Sequence, residues 1–340
     1  MPEHRTLFVT QRGLRHQQAA LAAAPRELAI TIRRTRDLRE VMDVLPEAEF
    51  LISERTGAIG ADVIEAGKKL KLIQRLGSQV WDIDLAAAQR AGIPVCYLPV
   101  TTCKLVAEHM ILQMLGLGRH LRELMQITAE ARDWGMPPKR CNEDYFAFNW
   151  SKRERIVPLS GSTVGVLGFG EIGTELARRL KNFDCTVLYN KRRPLPAAVE
   201  AELGLSYATR ADLVRRSDFV CCLLPNLPEN NQSVDAAFFA AMKPRAYFTH
   251  CGAPGVVNED ALIAAMRANH IAGGAIDCYT YEPLRADDPL LGLARDPRQN
   301  LILTPHIAAG TVAASADERL SDFANILAVL RGDPLRYRLA

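Results

Sequence analysis

The chain of 340 residues is long enough for about two domains, and its 48% hydrophobic and 24% charged residues are ordinary for a globular protein. A net charge of only +3 gives no case for a nucleic-acid partner, and no apolar run is long enough to span a bilayer. The eight cysteines form no Cys-x-x-Cys pair, so we expect neither a disulfide framework nor a metal site, but reduced thiols in a cytoplasmic protein.

The first hundred residues read as short strands alternating with helices. Strands are predicted at 7–10, 28–32, 50–53, 72–76 and 94–96, with helical stretches around 16–24, 37–44, 62–67 and 85–91. Such alternation predicts a parallel sheet with helices on both faces. Because this half has no glycine-rich phosphate turn, we expect it to be a substrate domain.

A long apolar helix pattern follows, and after it the regular alternation stops. The pattern from 105 to about 126 predicts a single helix with too many charged residues for a membrane span. Residues 130–160 mix aromatic and charged side chains and predict a long excursion. Three roles stay open for it: covering an active site, reaching a partner subunit, or packing on its own domain.

The strongest signal lies between residues 163 and 173. A short apolar strand enters the turn Gly168-Phe169-Gly170-Glu171-Ile172-Gly173, and helical spacing leaves it. Without a Cβ, Gly168 permits a tight turn, Gly170 lets a pyrophosphate approach the backbone, and Gly173 lets the helix pack closely on the strand. The helix N-terminus would offer free N–H groups to the phosphates. The pattern predicts a dinucleotide site; the alternative is a glycine turn that only packs a helix on a sheet.

Later strands are predicted at 186–189, 218–224, 246–249, 271–277 and 301–304, with helices around 234–242, 260–268 and 312–330. They complete a six-stranded, doubly wound sheet in which ligands lie beyond the carboxyl ends of the strands. Glu282 follows the fifth strand, and His306 follows the sixth. A histidine beside a carboxylate is a usual general acid, because the carboxylate fixes the tautomer. Alternatively, His306 simply caps a buried strand.

Four blocks of the sequence resemble the D-isomer-specific 2-hydroxyacid dehydrogenase family. They are residues 82–95 with 106–109, residues 166–173, residues 256–262 with 276–277 and 282–284, and residues 304–309. The resemblance implies an α/β protein of two doubly wound parallel-sheet domains. A Rossmann dinucleotide domain (105–307) would be inserted in a flavodoxin-like substrate domain (1–104 and 308–340), with a nicotinamide cofactor, a small-molecule substrate and a homodimer.

The resemblance also implies roles for individual residues. His306 matches the acid–base histidine of the family, Glu282 the glutamate paired with it, and Asp277 an aspartate near the nicotinamide carboxamide. Ser78 and Gln79 are expected to bind substrate. The expected cofactor-binding residues are Gly168, Phe169, Gly170, Glu171, Ile172, Gly173, Asn190, Lys191, Arg192, Leu224, Pro225, Cys251, Gly252, Ala253, Asp277 and His306.

One departure from the family concerns the arginine that binds the 2-oxo-carboxylate, because Ala253 occupies its position. An arginine fork makes two charge-assisted hydrogen bonds worth about 1.5–3 kcal/mol each, so a simple 2-oxo acid should bind much more weakly without it. Either another cation serves, or the substrate is not a plain 2-hydroxy acid, or activity is lost. The candidate cations are Arg55, Arg75, Lys104 and Arg285.

A second departure concerns the cofactor. The family has an aspartate after the second strand, which accepts bonds from the ribose hydroxyls of NAD. Here Asn190 precedes Lys191, Arg192 and Arg193. A neutral amide before three cations suits a 2′-phosphate, so NADP is favoured and NAD remains possible. The alternative is a solvated basic loop.

Two functions therefore remain. The first is an NAD(P)-dependent oxidoreductase that interconverts a 2-hydroxy acid and its oxo form, with His306 as acid–base and Glu282 behind it. The second is a cofactor-binding sensor or interaction protein on the same scaffold, which the alanine at position 253 favours.

Overall fold

The computed structural model describes residues 3–35, 37–54, 57–130, 134–310 and 319–340. The chain divides into two compact units. Unit 1 comprises Met1–Cys103 with Thr311–Ala340, and unit 2 comprises Lys104–Gly310. Each unit is built on a parallel sheet with helices, which confirms the predicted fold class.

Unit 1 contains a five-stranded sheet in the order β2-β1-β3-β4-β5, with every pair parallel. This is the flavodoxin-like order. Of the three inner strands, β3 and β4 are buried along their whole length and β1 over its last five residues, as expected for a sheet covered on both faces. The elements are β1 (His4–Thr10), α1 (Leu14–Ala22), β2 (Leu28–Arg34), β3 (Phe50–Glu54), α2 (Ala61–Ala66), β4 (Leu72–Leu76), α3 (Leu85–Arg90) and β5 (Val95–Leu98).

The helical stretch expected around 37–44 is tighter than an α-helix. It consists of the 3₁₀ turns Leu38–Val41 and Leu45–Glu47. Asp37 caps the first turn by accepting from the Arg39 N–H, and Pro46 stands at the start of the second. Because proline lacks the N–H that a continuing helix would need, the two turns stay separate.

The C-terminal residues return to unit 1. Of the last helix, predicted over 312–330, residues 312–318 lie outside the described residues. Ser321–Phe323 form a 3₁₀ turn, and the α-helix that follows, α12 (Ala324–Arg331), ends at Gly332 as its stop signal predicts. On α12, the Asn325 Nδ2 donates to the Gln74 Oε1 of β4 at 2.9 Å. The last residues pair with β5, where the Leu339 N–H donates to the Val95 carbonyl.

Unit 2 contains a seven-stranded parallel sheet in the order β12-β11-β10-β9-β6-β7-β8. The chain reverses its direction of travel at β6, which pairs with β7 on one side and β9 on the other. This is the Rossmann order with one additional strand, and ligands bind at such a switch point. The strands are β6 (Thr163–Leu167), β7 (Thr186–Asn190), β8 (Leu205–Tyr207), β9 (Phe219–Cys222), β10 (Tyr247–His250), β11 (Gly273–Ile276) and β12 (Leu301–Leu303).

The predicted six strands omitted β8. This strand has only three residues and directly follows Gly204, which ends a helix in the left-handed conformation with φ 67°. Three residues are too few to show an alternating pattern. The helices of unit 2 are α4 (Thr101–Gly118, which begins in unit 1), α5 (Leu121–Ala129), α6 (Glu171–Leu180), α7 (Ala197–Leu203), α8 (Arg210–Arg216), α9 (Ala236–Ala241), α10 (Glu259–Arg267) and α11 (Pro289–Ala294).

The prediction of one helix over 105–126 is wrong, because the chain breaks between α4 and α5 at His120, which has φ 51°. The last carbonyls of α4 are taken from outside the helix. The Asn300 Nδ2 donates to the Leu117 carbonyl at 3.0 Å, and the Val157 N–H donates to the Gly118 carbonyl at 2.9 Å. These contacts join residues distant in sequence, so helical periodicity could not reveal the break. No helix in the described part of the chain could cross a membrane.

The aromatic excursion is described from residue 134 onward, and residues 134–160 contain turns and one isolated bridge but no helix. Its aromatic rings pair with one another. Trp134 lies 4.9 Å from Trp150, and Phe146 lies 5.5 Å from Phe148. The Phe148 side chain is 84% exposed. Phe146 beside it is 51% exposed, so the two rings form a small apolar patch on the surface of unit 2.

The two ends of unit 2 meet. A Cβ built on Gly310, the last residue of the unit, would lie 3.0 Å from the Cδ1 of Leu105, its second residue, so the chain enters and leaves the unit at neighbouring points.

Candidate active site

The glycine turn follows β6 at the switch point of the sheet. Gly168 has φ 86°, and a Cβ there would lie 2.7 Å from the Leu223 carbonyl oxygen and 2.8 Å from the Leu224 nitrogen. Only glycine fits this position. Gly170 differs, because a Cβ there would meet nothing within 4 Å. Open space above Gly170 beside the N-terminus of α6 fits a pyrophosphate.

The remaining residues of the turn are mostly buried. Phe169 and Glu171 are buried, and Ile172 is half-buried. The Phe169 ring would lie 3.0 Å from a Cβ on Gly173, so this third glycine lets the ring pack against α6. The ring of Phe169 also packs on Tyr189 of β7 at 4.9 Å. The turn is therefore fixed against the sheet independently of any ligand.

The loop after β7 is anchored at both ends. The Asn190 Nδ2 donates to the Ala208 carbonyl at 2.8 Å. At the other end, the Tyr189 hydroxyl donates to the Glu200 Oε1 and accepts from the Leu195 N–H, both at 2.6 Å. Burial raises the pKa of Tyr189 well above its usual range, so the hydroxyl keeps its proton.

Basic side chains lie between these anchors. Lys191 is half-buried and has a partner within the protein, whereas Arg192 and Arg193 are exposed. No acidic side chain in the described part of the chain pairs with either arginine. Two cations therefore stand on an anchored loop at the position where a dinucleotide ribose is expected.

His306 and Glu282 form a hydrogen-bonded pair. The His306 Nδ1 lies 2.7 Å from the Glu282 Oε2. The other oxygen, Oε1, accepts from the Tyr279 N–H at 2.9 Å, which fixes the carboxylate plane. Because a carboxylate can only accept, the Nδ1 carries the proton and the Nε2 is left for proton exchange. The His306 side chain is 48% exposed.

Asp277 holds the main chain that follows His306. Its side chain is fully buried and accepts from the Thr304 hydroxyl at 2.6 Å and from the N–H groups of Ile307 at 3.0 Å and Ala308 at 2.9 Å. His109 lies 3.2 Å from the same hydroxyl. The sequence analysis gave no role to Thr304 or His109, and no local signal could have shown one, because both are distant from Asp277 in sequence. The expected position of Asp277 beside a nicotinamide stays a prediction.

A cavity of about 550 Å³ opens beside the histidine. The single proton of the Tyr279 hydroxyl is shared between the Thr304 carbonyl at 2.8 Å and the Ile276 carbonyl at 3.1 Å, which joins the ends of β11 and β12. Burial, reinforced by the charges of Asp277 and Glu282, raises the pKa of the adjacent Cys278 thiol to about 12. The cavity is lined by Tyr279, Glu282, Pro283, Leu284, Leu303, Thr304, Pro305 and His306.

The ends of β9 and β10 are joined by backbone contacts. The Ala253 N–H donates to the Leu224 carbonyl at 2.9 Å, and a Cβ on Gly252 would lie 2.9 Å from the same oxygen. Leu224 is half-buried, and Pro225, which follows it, is exposed. Cys251 is buried, and burial raises its pKa well above the usual range. This edge presents backbone and small side chains rather than a cation.

The candidate replacement cations differ in their availability. Arg75 is 1% exposed and donates within unit 1 to the Asp82 Oδ1 at 3.0 Å and the Gly57 carbonyl at 2.9 Å, so its guanidinium is already occupied. Arg285 pairs with Asp287 on the surface of unit 2. Lys104 is half-buried, and Arg55 lies outside the described residues.

The predicted substrate residues lie in unit 1, just after β4. Ser78 is buried and Gln79 is half-buried, and both have partners within the protein. The Gly77 N–H before them donates to the Leu98 carbonyl at 2.8 Å, and the bond from Arg75 to Asp82 closes the loop behind them. The loop is therefore fixed at both ends.

His250 is buried at the end of β10 and stacks on Phe248, with ring centroids 6.4 Å apart. Burial lowers its pKa from 6.5 to about 4, partly opposed by the neighbouring backbone at Cys222 and Ala253 and by the charge of Asp277. Its imidazole is therefore neutral at pH 7, which excludes it as a charged replacement for the family arginine.

This burial predicts a pH-dependent stability. As the pH falls below 6.5, the unfolded chain binds a proton at this histidine while the folded protein does not, so stability is lost until the pH approaches 4. We expect a loss of about 2 kcal/mol between pH 7 and pH 5 from this group, which His250→Leu should abolish. Urea unfolding at the two pH values measures it, and equal pH dependence in both proteins would contradict it.

Comparisons with known proteins agree with this geometry. A sequence model described as the NAD-binding domain of D-isomer-specific 2-hydroxyacid dehydrogenases matches residues 111–308. A Staphylococcus aureus protein assigned as a 2-hydroxyacid dehydrogenase is 32% identical over 79% of this chain and 78% of its own length. A D-3-phosphoglycerate dehydrogenase of Synechocystis is 29% identical over 87% of this chain, which spans about half of that relative. A crystal structure of a Pyrococcus horikoshii protein has a TM-score of 0.59 at 24% identity, covering 100% of this chain and 95% of its own.

Proposed function

Because the chain belongs to the D-isomer-specific 2-hydroxyacid dehydrogenase family, we propose that it is an NAD(P)-dependent oxidoreductase interconverting a 2-hydroxy acid, or a related hydroxy compound, with its oxo form. The observation that carries this proposal is the His306–Glu282 hydrogen bond of 2.7 Å beside an open cavity. A sheet with a glycine turn at its switch point supports cofactor binding by the same unit.

In this proposal, His306 and Glu282 carry out the proton transfer. When bound, the nicotinamide supplies or accepts the hydride. In the reducing direction, the His306 Nε2 gives a proton to the oxygen of the substrate as negative charge develops there. Glu282 accepts the Nδ1–H and stabilises the ring in its charged form. Glu282 is fixed by the Tyr279 N–H, so the imidazole is oriented before substrate arrives.

We propose that the substrate is held without an arginine fork. Ala253 stands at the family arginine position, and Arg75 is occupied by Asp82. Ser78 and Gln79, the expected substrate residues, would serve as neutral hydrogen-bond donors by exchanging their partners within the protein for the substrate. Neutral donors bind a carboxylate less tightly than an arginine does. They therefore favour a substrate that carries an uncharged polar group, such as an ester or an amide, beside the oxo carbon. A screen of oxo acids, their esters and their amides, following oxidation of the reduced cofactor, tests this specificity. Rates highest for simple 2-oxo acids would contradict it.

We propose that NADP is preferred over NAD. Arg192 and Arg193 stand exposed on the anchored loop after Asn190, and the amide of Asn190 carries no charge that would repel a 2′-phosphate. One charge-assisted bond to the phosphate corresponds to about tenfold or more in affinity. We expect NADPH to bind at least about tenfold more tightly than NADH.

Arginine variants separate this preference from nonspecific charge. Arg192→Ala should weaken NADPH binding while leaving NADH binding unchanged, and so should Arg193→Ala if both arginines reach the phosphate. Arg267→Ala removes an exposed arginine of α10 and should change neither affinity. Fluorescence titration with both cofactors measures the affinities. Equal affinity of the unmodified protein for NADPH and NADH, or tighter NADH, would refute the preference.

A second function, a cofactor-binding sensor or interaction protein without turnover, is favoured by the alanine at position 253. It predicts tight NADPH binding with no oxidation of the cofactor by any oxo compound in the screen. Turnover that depends on His306 would exclude it.

We also propose a homodimer in the cytoplasm. The exposed Phe148 and Tyr281 of unit 2 offer apolar surface to a partner, and all eight cysteines are free thiols, which suits a reducing compartment. Light scattering tests the association: a monomeric mass at micromolar concentration would contradict the dimer.

A further inference from the structure

Three different metal-ligand atoms come together in unit 2. The Cys278 sulfur, a Glu282 carboxylate oxygen and a His306 ring nitrogen all lie within 4.8 Å of one another. Cys278 directly follows Asp277 at the end of β11, whereas His306 follows β12. Cysteine spacing in the sequence predicted no zinc site, because the folded chain assembles these donors from separate strand ends.

The donor set is the one that zinc prefers. Zinc binds thiolate sulfur, imidazole nitrogen and carboxylate oxygen in tetrahedral geometry, and sites with three protein ligands leave the fourth position for water or another small ligand. Cys278 is 5% exposed, while Glu282 and His306 line the cavity of about 550 Å³. The cavity provides an entry path to Glu282 and His306 and room for the fourth ligand, while the buried Cys278 sulfur lies behind them.

The Glu282 carboxylate has a fixed orientation in which one oxygen could bind a cation. The Tyr279 N–H occupies the Glu282 Oε1, so the Oε2 is presented in a fixed direction. Such support of a ligand by a neighbouring hydrogen bond strengthens metal binding. Two carboxylates stand close to the Cys278 sulfur, because Asp277 directly precedes Cys278 in the chain and a Glu282 oxygen lies within 4.8 Å of the sulfur. The negative potential of these two carboxylates favours a divalent cation.

We propose that Cys278, Glu282 and His306 form a binding site for a zinc-class divalent cation. As the metal bonds form, the Cys278 thiol releases its proton to solvent. The proton on the His306 Nδ1 is exchanged through solvent for one on the Nε2, which frees the Nδ1 lone pair, and the hydrogen bond between His306 and Glu282 is replaced by bonds from both residues to the cation. Water takes the fourth position. Because the imidazole and carboxylate then no longer act as a pair, the bound cation inhibits the proposed hydride-transfer reaction. Cation binding itself does not depend on that reaction.

A second group provides the control. His109, Cys251 and Asp277 also have donor atoms within 4.8 Å of one another. However, the Asp277 oxygens accept three hydrogen bonds from the protein, and the Cys251 thiol lies 3.5 Å from the Gln113 Oε1 to which it donates. The Asp277 and Cys251 atoms that could bind a metal are therefore already used in hydrogen bonds within the protein. Cys251→Ser removes a buried thiol of the same unit and should leave the proposed site intact.

Cobalt titration of the full-length chain, freed of metal by a chelator, tests the site. We expect one equivalent of Co²⁺ to produce the near-ultraviolet charge-transfer absorption of a cobalt thiolate. Cys278→Ser should abolish this absorption and weaken Zn²⁺ binding, measured by competition, at least about 100-fold, whereas Cys251→Ser should preserve both. Absorption that persists in Cys278→Ser, or that disappears only in Cys251→Ser, would overturn the proposal.

Further variants guard against misfolding and identify the other ligands. Glu282→Gln and His306→Asn should each weaken Zn²⁺ binding while the cobalt thiolate band, at saturating metal, is retained. Cys278→Ala gives a second thiol-free protein, and metal-free thermal unfolding of both cysteine variants should match that of the unmodified chain. An unmodified chain that binds no Zn²⁺ overturns the site while leaving turnover unaffected. Zn²⁺ binding without any oxidoreductase activity overturns the proposed function alone.

Discussion

His306→Asn is expected to lower kcat for NADPH-dependent reduction of the best oxo substrate by about 10²–10⁴-fold. Asparagine keeps a polar side chain next to Glu282 but cannot carry a proton to the substrate. Because φ of residue 306 is 51°, asparagine also suits the backbone better than alanine would. Affinity for NADPH should stay within about twofold, since an acid–base group acts mainly in the transition state.

A matched control exists in unit 1. His4 and Glu49 form another histidine–glutamate pair, with 3.1 Å between the Nδ1 and the Oε2. His4→Asn removes a pair of the same kind outside the proposed site and should leave kcat unchanged. Steady-state kinetics and cofactor titration on both variants measure the difference. A His306→Asn protein with more than about a tenth of the original kcat would contradict the acid–base assignment.

Gly168→Ala is expected to lower the stability of the protein, whereas Gly170→Ala is expected to weaken NADPH binding and leave stability nearly unchanged. At Gly168 a Cβ would lie 2.7 Å from the Leu223 carbonyl oxygen in a left-handed backbone, so the alanine should cost about 2–4 kcal/mol of unfolding free energy. At Gly170 the Cβ meets open space with an extended backbone, so stability should change by less than about 0.5 kcal/mol. The same methyl group would block the approach of a pyrophosphate. NADPH binding should therefore weaken at least about tenfold, which corresponds to ~1.4 kcal/mol of binding free energy.

Urea unfolding without cofactor and NADPH titration separate the two variants. A Gly170→Ala protein that binds NADPH as tightly as the unmodified chain would show that the open space above this residue is not the pyrophosphate site. Unchanged stability of Gly168→Ala would show that the turn relaxes more easily than its close contacts indicate.

The fold class was predictable because it depends on local patterns repeated along the chain. Strand and helix signals alternate, and parallel sheets bury continuous apolar strands such as β3 and β4. The features that could not be predicted depend on contacts between distant residues or are too short to show a pattern. The break at His120 follows from carbonyls taken by Asn300 and Val157, and β8 is too short for a periodic signal.

The candidate site likewise has features that the sequence predicts and features that it does not. The glycine turn and the residue types at the strand ends could be recognised from the sequence, because strand–turn–helix order is local. The bonds around Asp277 could not, since Thr304 reaches it from the next strand of the sheet. Likewise, no spacing rule brings Cys278 to His306; only the parallel neighbours β11 and β12 do so.

The contact between Leu105 and Gly310 has a consequence for how the chain can be divided. A segment whose two ends lie next to each other can be excised, or its ends joined by a short linker, without stretching its backbone. Residues 104–310 should accordingly express as a stand-alone protein, and its amide exchange and cofactor titrations would report on nucleotide recognition alone. Residues 1–103 and 311–340, joined directly to each other, would form one continuous chain for the five-stranded unit. That chain could then be combined with other nucleotide-binding domains.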